Sequence, residues 1–346
     1  MLKRILEKTI KRALKEDKSI LLLGPRQTGK TTLLKSFTFD LSVNLSVTRQ
    51  RLKYEKDPSV LADEIMGLES ENPLIYIDEI QKVPDLMNDI QSLIDDKKAR
   101  FALTGSSERK LKKNKHFNLL PGRLDYIRMD PLSLSELPED WGLEKSLIHG
   151  SLPGVVSTEN QASIDKLLRN FVDIYLQEEI REEALVRNIG VFSRFLELAA
   201  IESGNIINFS KISQDVGVSQ HTIQSYFSIL EDCLIVDRVE PISENQFHRK
   251  KLIKSEKYLF YDLGVRRAAA KDPKDLPLHK LGSIFEQWVG IEILRFIRNH
   301  DLQASLRFWS DPNGPEVDWI IQFEQKYFPI EVKWTQRPEI RDGRHL

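Results

Sequence analysis

Cysteine is almost missing from this chain: Cys233 is the one thiol in 346 residues. That excludes an internal disulfide and leaves no cysteine cluster for a zinc site. The seven histidines are scattered, with no ligand-like pair. No apolar run approaches the ~20 residues that span a bilayer. Lys3, Arg4, Glu7, Lys8, Lys11 and Arg12 interrupt any signal-like apolar core near the start. An excess of one charge is absent too. With 51 basic against 52 acidic residues, the net charge of −1 gives no global pull toward DNA or anionic membrane. Any nucleic-acid site must be a local patch. The expectation is a soluble, cytoplasmic protein with no membrane partner, long enough for two or three domains.

What the chain does have is Ser19 to Ser36, SILLLGPRQTGKTTLLKS. Ile20 to Leu23 has the length and bounding of a buried strand. Gly24-Pro25 breaks it, and a helix-compatible stretch starts at Lys30. Between them, Gly24, Pro25, Arg26, Gln27, Thr28, Gly29, Lys30, Thr31 and Thr32 carry the full phosphate-binding pattern Gly-x-x-x-x-Gly-Lys-Thr. Glycines let backbone N–H groups close round phosphate oxygens where a Cβ would clash. Lys30 can reach the β- and γ-phosphates, and Thr31 offers a hydroxyl to Mg²⁺. The expected ligands are a nucleoside triphosphate and Mg²⁺.

Around this loop the pattern is of strands alternating with helices. Met1 to Lys18 carries an amphipathic helical stripe that suits packing against the following strand. Phe37 to Leu45 suggests a second strand, and Val60 to Leu68 a helix. Leu74-Ile75-Tyr76-Ile77-Asp78-Glu79 is an apolar strand ending in two carboxylates. Beside a phosphate loop, Asp78 would join the Mg²⁺ shell and Glu79 would orient the attacking water. Ala99 to Ser107 reads as another buried strand. Its Thr104, Ser106 and Ser107 suit either γ-phosphate and water, at the carboxyl edge of the sheet, or ordinary turn chemistry around Gly105. Arg123 follows a Pro-Gly turn, from which a guanidinium can project as an arginine finger, in cis or from a neighbouring copy. The alternation predicts an α/β domain, a parallel sheet flanked by helices.

The stretches GPRQTGKTTLL, LIYIDEIQ, ALTGSS and LPGRL…PLSLSEL together resemble the bacterial and archaeal AAA-type ATPases with a C-terminal domain of unknown function (AAA_14/DUF4143). The resemblance covers nearly the whole chain. It implies an AAA-like ATPase core specific for ATP, with Asp78 and Glu79 as its second nucleotide motif, Thr104 as a sensor and Arg123 as the finger. Such cores often assemble, so a homo-oligomer fits.

Trp141 to Arg187 reads as helical, a connector or lid. Asn205 to Pro241 is a winged-helix candidate. Ser210 would cap one helix, Gly217 would turn the chain, Ser219 would cap a second, and Leu234 to Val239 would form the wing. On the second helix Gln220, His221, Gln224 and Ser225 occupy the positions that read base edges. The acidic neighbours Asp215, Glu231 and Asp232 suit a lid or docking module instead. Lys250 to Arg267 is the most basic tract, with Tyr258, Phe260 and Tyr261 interleaved. It suits either a nucleic-acid track or an edge strand with a solvated face.

The last hundred residues hold a second constellation. A helical stretch from Leu281 to Ile297 carries Glu286, and Leu306 to Trp309 reads as a strand. A strand around Val317 to Ile321 carries Asp318, and a strand Phe328 to Trp334 carries Glu331 and Lys333. This order resembles the restriction-endonuclease-like PD-(D/E)xK core. The resemblance implies that Asp318 and Glu331 bind Mg²⁺, Lys333 activates water, and Glu286 supports the metal. The short stretch after Glu331 leaves two readings, a truncated chain or a fold completed by a partner. The expected organisation is an AAA-like domain at 1–138, a helical connector at 139–204, a winged-helix module at 205–245 and an endonuclease-like domain at 246–346. Three functions fit: an ATP-hydrolysing switch whose C-terminal domains bind DNA or a protein, an ATP-regulated Mg²⁺-dependent nuclease, or a nucleotide-bound docking module with little hydrolysis.

Overall fold

The structure is a computed structural model that describes residues 2–107, 122–176, 188–242, 255–275, 277–311, 315–337, 339 and 343. The chain divides into two compact units. The first is Met1–Pro131 with Asp232–Leu234, and the second is Leu132–Glu231 with Ile235–Leu346.

Unit 1 runs α1 (Leu6–Lys15), β1 (Ser19–Leu23), α2 (Lys30–Leu34), β2 (Leu41–Asn44), α3 (Thr48–Lys56), α4 (Val60–Met66), β3 (Leu74–Asp78), α5 (Leu86–Asp95), β4 (Arg100–Gly105) and β5 (Leu124–Arg128). Its sheet is wholly parallel, in the order β2-β3-β4-β1-β5. β1 is buried along its whole length. The two-residue pleat explains why such a strand must be apolar throughout. Ile20 and Leu22 face one core with Leu6, Ile10, Leu33 and Leu34. Leu21 and Leu23 face the other, with Leu61, Ile65, Leu86 and Ile90. The stripe on α1 is thus spent on the sheet: Leu6, Ile10, Ala13 and Leu14 are buried. β5 is an element that the sequence pattern did not announce, because Asp125 and Tyr126 interrupt its apolar run.

Unit 2 contains α6 (Gly142–His149), α7 (Pro153–Val156), α8 (Gln161–Asn170), α9 (Ile189–Ile201), α10 (Phe209–Val216), α11 (Gln220–Asp232), β6 (Val236–Pro241), β7 (Lys257–Phe260), α12 (Leu263–Ala269), α13 (Leu278–Asn299), β8 (Ala304–Ser310), β9 (Glu316–Phe323) and β10 (Lys326–Ile330). α8 runs into a π-helical turn over Phe171–Leu176. The five strands form a mixed sheet, β10-β9-β8-β6-β7. β6 and β8 pair in parallel and the other pairs are antiparallel. α13 packs on this sheet through Ile284 and Ile291, against Leu259, Phe308 and Trp319.

Several local expectations change. Asn208, not Ser210, caps α10, its side chain accepting from the Lys211 N–H. An Asx cap is at least as strong as serine and sits two residues earlier. Ser219 does cap α11, accepting from Thr222 N–H at 3.1 Å, and Gly217 ends α10 in the left-handed region at φ +80°. The strand expected to form a wing, β6, is a member of the five-stranded sheet.

Candidate nucleotide site and the C-terminal acidic cluster

Parallel strands deliver their carboxyl ends to one edge. Register pairs Leu23 with both Gly105 and Arg128, and Ile77 with Leu103. The loop after β1, the two carboxylates after β3 and the hydroxyls after β4 therefore converge, which is where open α/β sheets bind ligands.

The loop is built tightly. A Cβ on Gly24 would lie 2.2 Å from the Met129 carbonyl oxygen, so the chain passes β5 only because nothing is there. Gln27 and Gly29 both take positive φ, +65° and +97°, the kind of backbone from which anion-binding concavities of N–H groups are built. Lys30 is buried, and its Nζ donates to the carbonyls of Gly24 at 2.7 Å and Pro25 at 2.9 Å. Thr28 Oγ1 donates to Pro25 O at 2.9 Å. Arg26 is half-buried, while Gln27 and Thr32 are exposed. Arg4 braces the loop from behind: its guanidinium, buried, donates to Thr28 O at 2.7 Å and to Asp130 O at 2.6 Å. Nothing in the amphipathic pattern distinguished Arg4 from its basic neighbours.

Across from the loop, Thr31 Oγ1 lies 3.2 Å from both oxygens of Asp78. Thr104 Oγ1, fully buried, donates to Asp78 Oδ1 at 2.5 Å and accepts from the Glu79 N–H at 3.1 Å. One hydroxyl thus fixes the carboxylate and the backbone of the next residue. Burial and the Asp78 charge push the neighbouring Tyr76 phenol well above its usual range. Glu79 holds φ at +61°, a sparsely populated conformation for a non-glycine residue and one that clusters at functional sites. Its Oε2 accepts from Gln81 Nε2 at 2.6 Å and Ser106 Oγ at 3.2 Å, and Gln81 also donates to Ser106 at 2.9 Å. Gln81 was not singled out in the sequence, although it stands two residues beyond Glu79. A hydroxyl and a carboxylate, Thr31 and Asp78, are the hard oxygen donors that Mg²⁺ takes, so these residues fit a Mg²⁺–nucleotide ligand.

Arg123 is not brought to this edge. Leu124 pairs with Ser19 at the start of β1, so Arg123 stands at the amino edge, a strand's length of about 13 Å from the loop. There it pairs in bidentate fashion with Asp95, Nε to Oδ1 at 2.5 Å and Nη2 to Oδ2 at 3.0 Å. In its own unit it does not face the loop.

In unit 2 the expected base readers Gln220, His221, Gln224 and Ser225 are all exposed on α11. The basic tract is corrected: it is neither a nucleic-acid track nor a solvated face where it is described. Lys257, Arg266 and Arg267 are buried, as are Tyr258, Phe260 and Tyr261. Arg266 pairs with Asp272, and Arg267 with Asp165 at 2.7 Å. Burial forces each charge to take an internal partner. Lys250, Lys251 and Lys254 lie outside the described residues.

The C-terminal constellation does gather. Asp318, on β9, accepts the Val332 N–H at 2.7 Å, and Glu331 Oε1 is 2.5 Å from Lys333 Nζ. Glu286, on α13, meets Lys257 at 3.1 Å. Burial raises the Asp318 carboxyl above its usual range, and Glu331 adds to the rise. Burial likewise raises Glu286, with Lys257 opposing and Asp318 reinforcing. Glu331 to Lys333 fall just after β10 rather than within a strand. Among the described residues, no group of three or more His, Cys, Asp or Glu side chains is arranged to hold a metal ion. Asp318, Glu331 and Glu286 share a neighbourhood, and each has an oxygen engaged by a partner within unit 2.

Residues 16–138 match an AAA domain model, residues 140–276 the domain of unknown function DUF8612, and residues 281–346 the domain of unknown function DUF4143. Uncharacterized proteins of Mycobacterium tuberculosis and Mycobacterium bovis are each 24% identical over 340 residues, covering 96% of this chain and 74% of theirs. Among solved structures, Cdc6p from Pyrobaculum aerophilum overlaps 82% of this chain and 92% of its own, with 15% identity and a TM-score of 0.32. The Bacillus subtilis DNA clamp loader delta protein overlaps 83% and 99%, with 13% identity and a TM-score of 0.30. The parallel sheet, the phosphate loop and the AAA domain match over residues 16–138 support an ATP-binding domain of AAA type in unit 1. No described helix is long and apolar enough to cross a membrane.

Proposed function

We propose that this protein is an ATP-hydrolysing switch, in which turnover at unit 1 changes how unit 2 engages DNA or a protein partner. The observation that carries the reading is the linked set Thr31, Asp78, Thr104 and Glu79 at the edge where the phosphate loop ends. Lys30 and the loop N–H groups would neutralise the β- and γ-phosphates. Bound Mg²⁺, held by Thr31 and Asp78, would supply Lewis-acid stabilisation of phosphate charge. Glu79, released from Gln81 and Ser106, would orient the attacking water. Arg123 serves as a finger only toward a neighbouring copy, since its own strand points it away. The exposed polar side chains Gln220, His221 and Gln224 on α11 are the contact set proposed for unit 2.

The test is ATP hydrolysis and nucleotide binding by wild type, Lys30→Ala and Glu79→Gln. The switch requires that Lys30→Ala lose binding and that Glu79→Gln bind but not turn over. Unchanged turnover in Glu79→Gln sinks the reading and leaves a docking module. A nuclease finds less support, because Glu286, Asp318 and Glu331 are each already engaged by a partner within unit 2. Nicking of supercoiled plasmid that is lost in Lys333→Ala would reinstate it.

A further inference from the structure

Lys257, in unit 2, has surroundings unlike those of an ordinary surface lysine. Its side chain is 7% exposed. The ammonium stands 4.8 Å from the centre of the Trp319 ring and 5.2 Å from that of Phe308. Its Nζ donates to Glu286 Oε1 at 3.1 Å. Trp319 is itself fixed to the same helix, Nε1 donating to the Glu286 carbonyl at 2.9 Å. A strand, a helix and two aromatic faces from β8 and β9 thus build a cage for one cation. Burying an ammonium is costly unless a carboxylate and polarisable faces replace water, and here both are provided. The carboxylates that the sequence pattern assigns to a metal stand around this cage. Asp318 and Glu316 lie close enough to act on the charge of Glu286, and Glu331 and Lys333 act on Asp318.

We infer that Lys257 is the resident cation of the acidic cluster of unit 2, occupying by its own ammonium the electrostatic place of a divalent ion. The cluster is then a structural tie between β7, α13 and β9, and unit 2 keeps an endonuclease-like order of residues without the metal. The geometry has three parts. Glu286 spends Oε1 on Lys257. Asp318 spends Oδ2 on the Val332 N–H, and Glu331 spends Oε1 on Lys333. What is left includes Glu331 Oε2, buried and without a hydrogen-bond partner. Glu286 Oε2 and Asp318 Oδ1 also stand outside these bonds, yet among the described residues no group of three or more such side chains is arranged to hold a metal ion. A second cation entering beside Lys257 would also meet its charge across a poorly screened interior. The inference concerns unit 2 alone and stands whether or not unit 1 hydrolyses ATP.

The experiment is a terbium titration of the full chain without nucleotide, exciting tryptophan and reading sensitised Tb³⁺ emission. The site signal is defined as the part that Asp318→Asn abolishes. Wild type is expected to show no Asp318-dependent emission. Lys257→Met, apolar and of similar length, is expected to gain it, with apparent affinity tighter by about tenfold or more. Adding Asp318→Asn to Lys257→Met should remove the gain. Asp318-dependent emission in wild type would overturn the inference, because the ion then binds beside Lys257. A folded Lys257→Met that stays dark would overturn it equally, since Lys257 would not be what keeps the ion out. Should Lys257→Met fail to fold by circular dichroism, Lys257→Gln, which keeps an N–H donor for Glu286 without the charge, is read in the same way.

Discussion

Replacing Thr104 by valine tests the nucleotide site at its most connected atom. Valine keeps the shape of threonine and removes one oxygen. That oxygen donates to Asp78 Oδ1 at 2.5 Å and accepts from the Glu79 N–H at 3.1 Å, in a residue with no exposed surface. Two losses follow. A hydrogen bond to a charged group contributes about 1.5–3 kcal/mol, and a buried N–H left without a partner costs about 1–3 kcal/mol. If about 2 kcal/mol of this falls on the placement of Asp78 and Glu79, kcat for ATP drops roughly 30-fold. The remainder lowers the stability of unit 1. The assay pairs steady-state ATP hydrolysis with thermal unfolding, and Thr104→Ser, which restores the hydroxyl, should recover most of both. Hydrolysis within twofold of wild type in a folded Thr104→Val protein would refute the argument, because the hydroxyl would then position nothing.

Other outcomes follow from the same geometry. Gly24→Ala places a Cβ 2.2 Å from the Met129 carbonyl oxygen, so the loop must shift, and affinity for a fluorescent ATP analogue should fall about tenfold or more. Unaltered affinity would show that β5 yields instead. Arg295 is buried and donates to Leu132 O, Ser151 Oγ, Tyr261 O and Glu292. Arg295→Met should cost unit 2 about 3–5 kcal/mol, seen by calorimetry as a transition lowered by roughly 6–20 °C. A shift under about 2 °C would contradict that accounting. Burial, then the Arg267 charge, hold the His149 imidazole below its usual range. The unfolded chain takes up this proton near the ordinary pKa of about 6.5 while the folded one resists. Stability from this group is therefore full above that pH and declines as pH falls toward the lower folded value. His149→Gln should flatten that part of the profile between pH 7.5 and 5.5, and an unchanged slope would assign it to another group. Finally, if Arg123 acts between copies, Arg123→Ala and Lys30→Ala chains should each be inactive yet hydrolyse ATP when mixed. A silent mixture would remove Arg123 from the reaction.

Much of unit 1 was determined by sequence alone, because the forces that shape it are local. An apolar run closed by Gly24-Pro25 has to be a buried strand, and the spacing from Gly24 to Thr31 is the loop itself. Asp78 and Glu79 are legible for the same reason, since a strand's end fixes where its last side chains lie. The helix signals of the middle region were read in place as well, with the cap shifted from Ser210 to Asn208. Tertiary structure decided what depends on which strands become neighbours. In the sequence Thr104 suits a sensor and a turn alike, and the pairing of β4 beside β3 is what puts its hydroxyl on Asp78. Arg123 read as a surface guanidinium, and the parallel register of β5 with β1 set it at the amino edge, away from the loop. β5 itself was hidden because half its residues are polar. The basic tract shows the limit most clearly. Lysines among aromatics look alike in one dimension whether they face water or a core, and only the closing of the mixed sheet over Lys257 turned a surface charge into a buried cation among carboxylates. Local order can be written in a line of residues, but electrostatic partnership between distant positions exists only once the chain has brought them together.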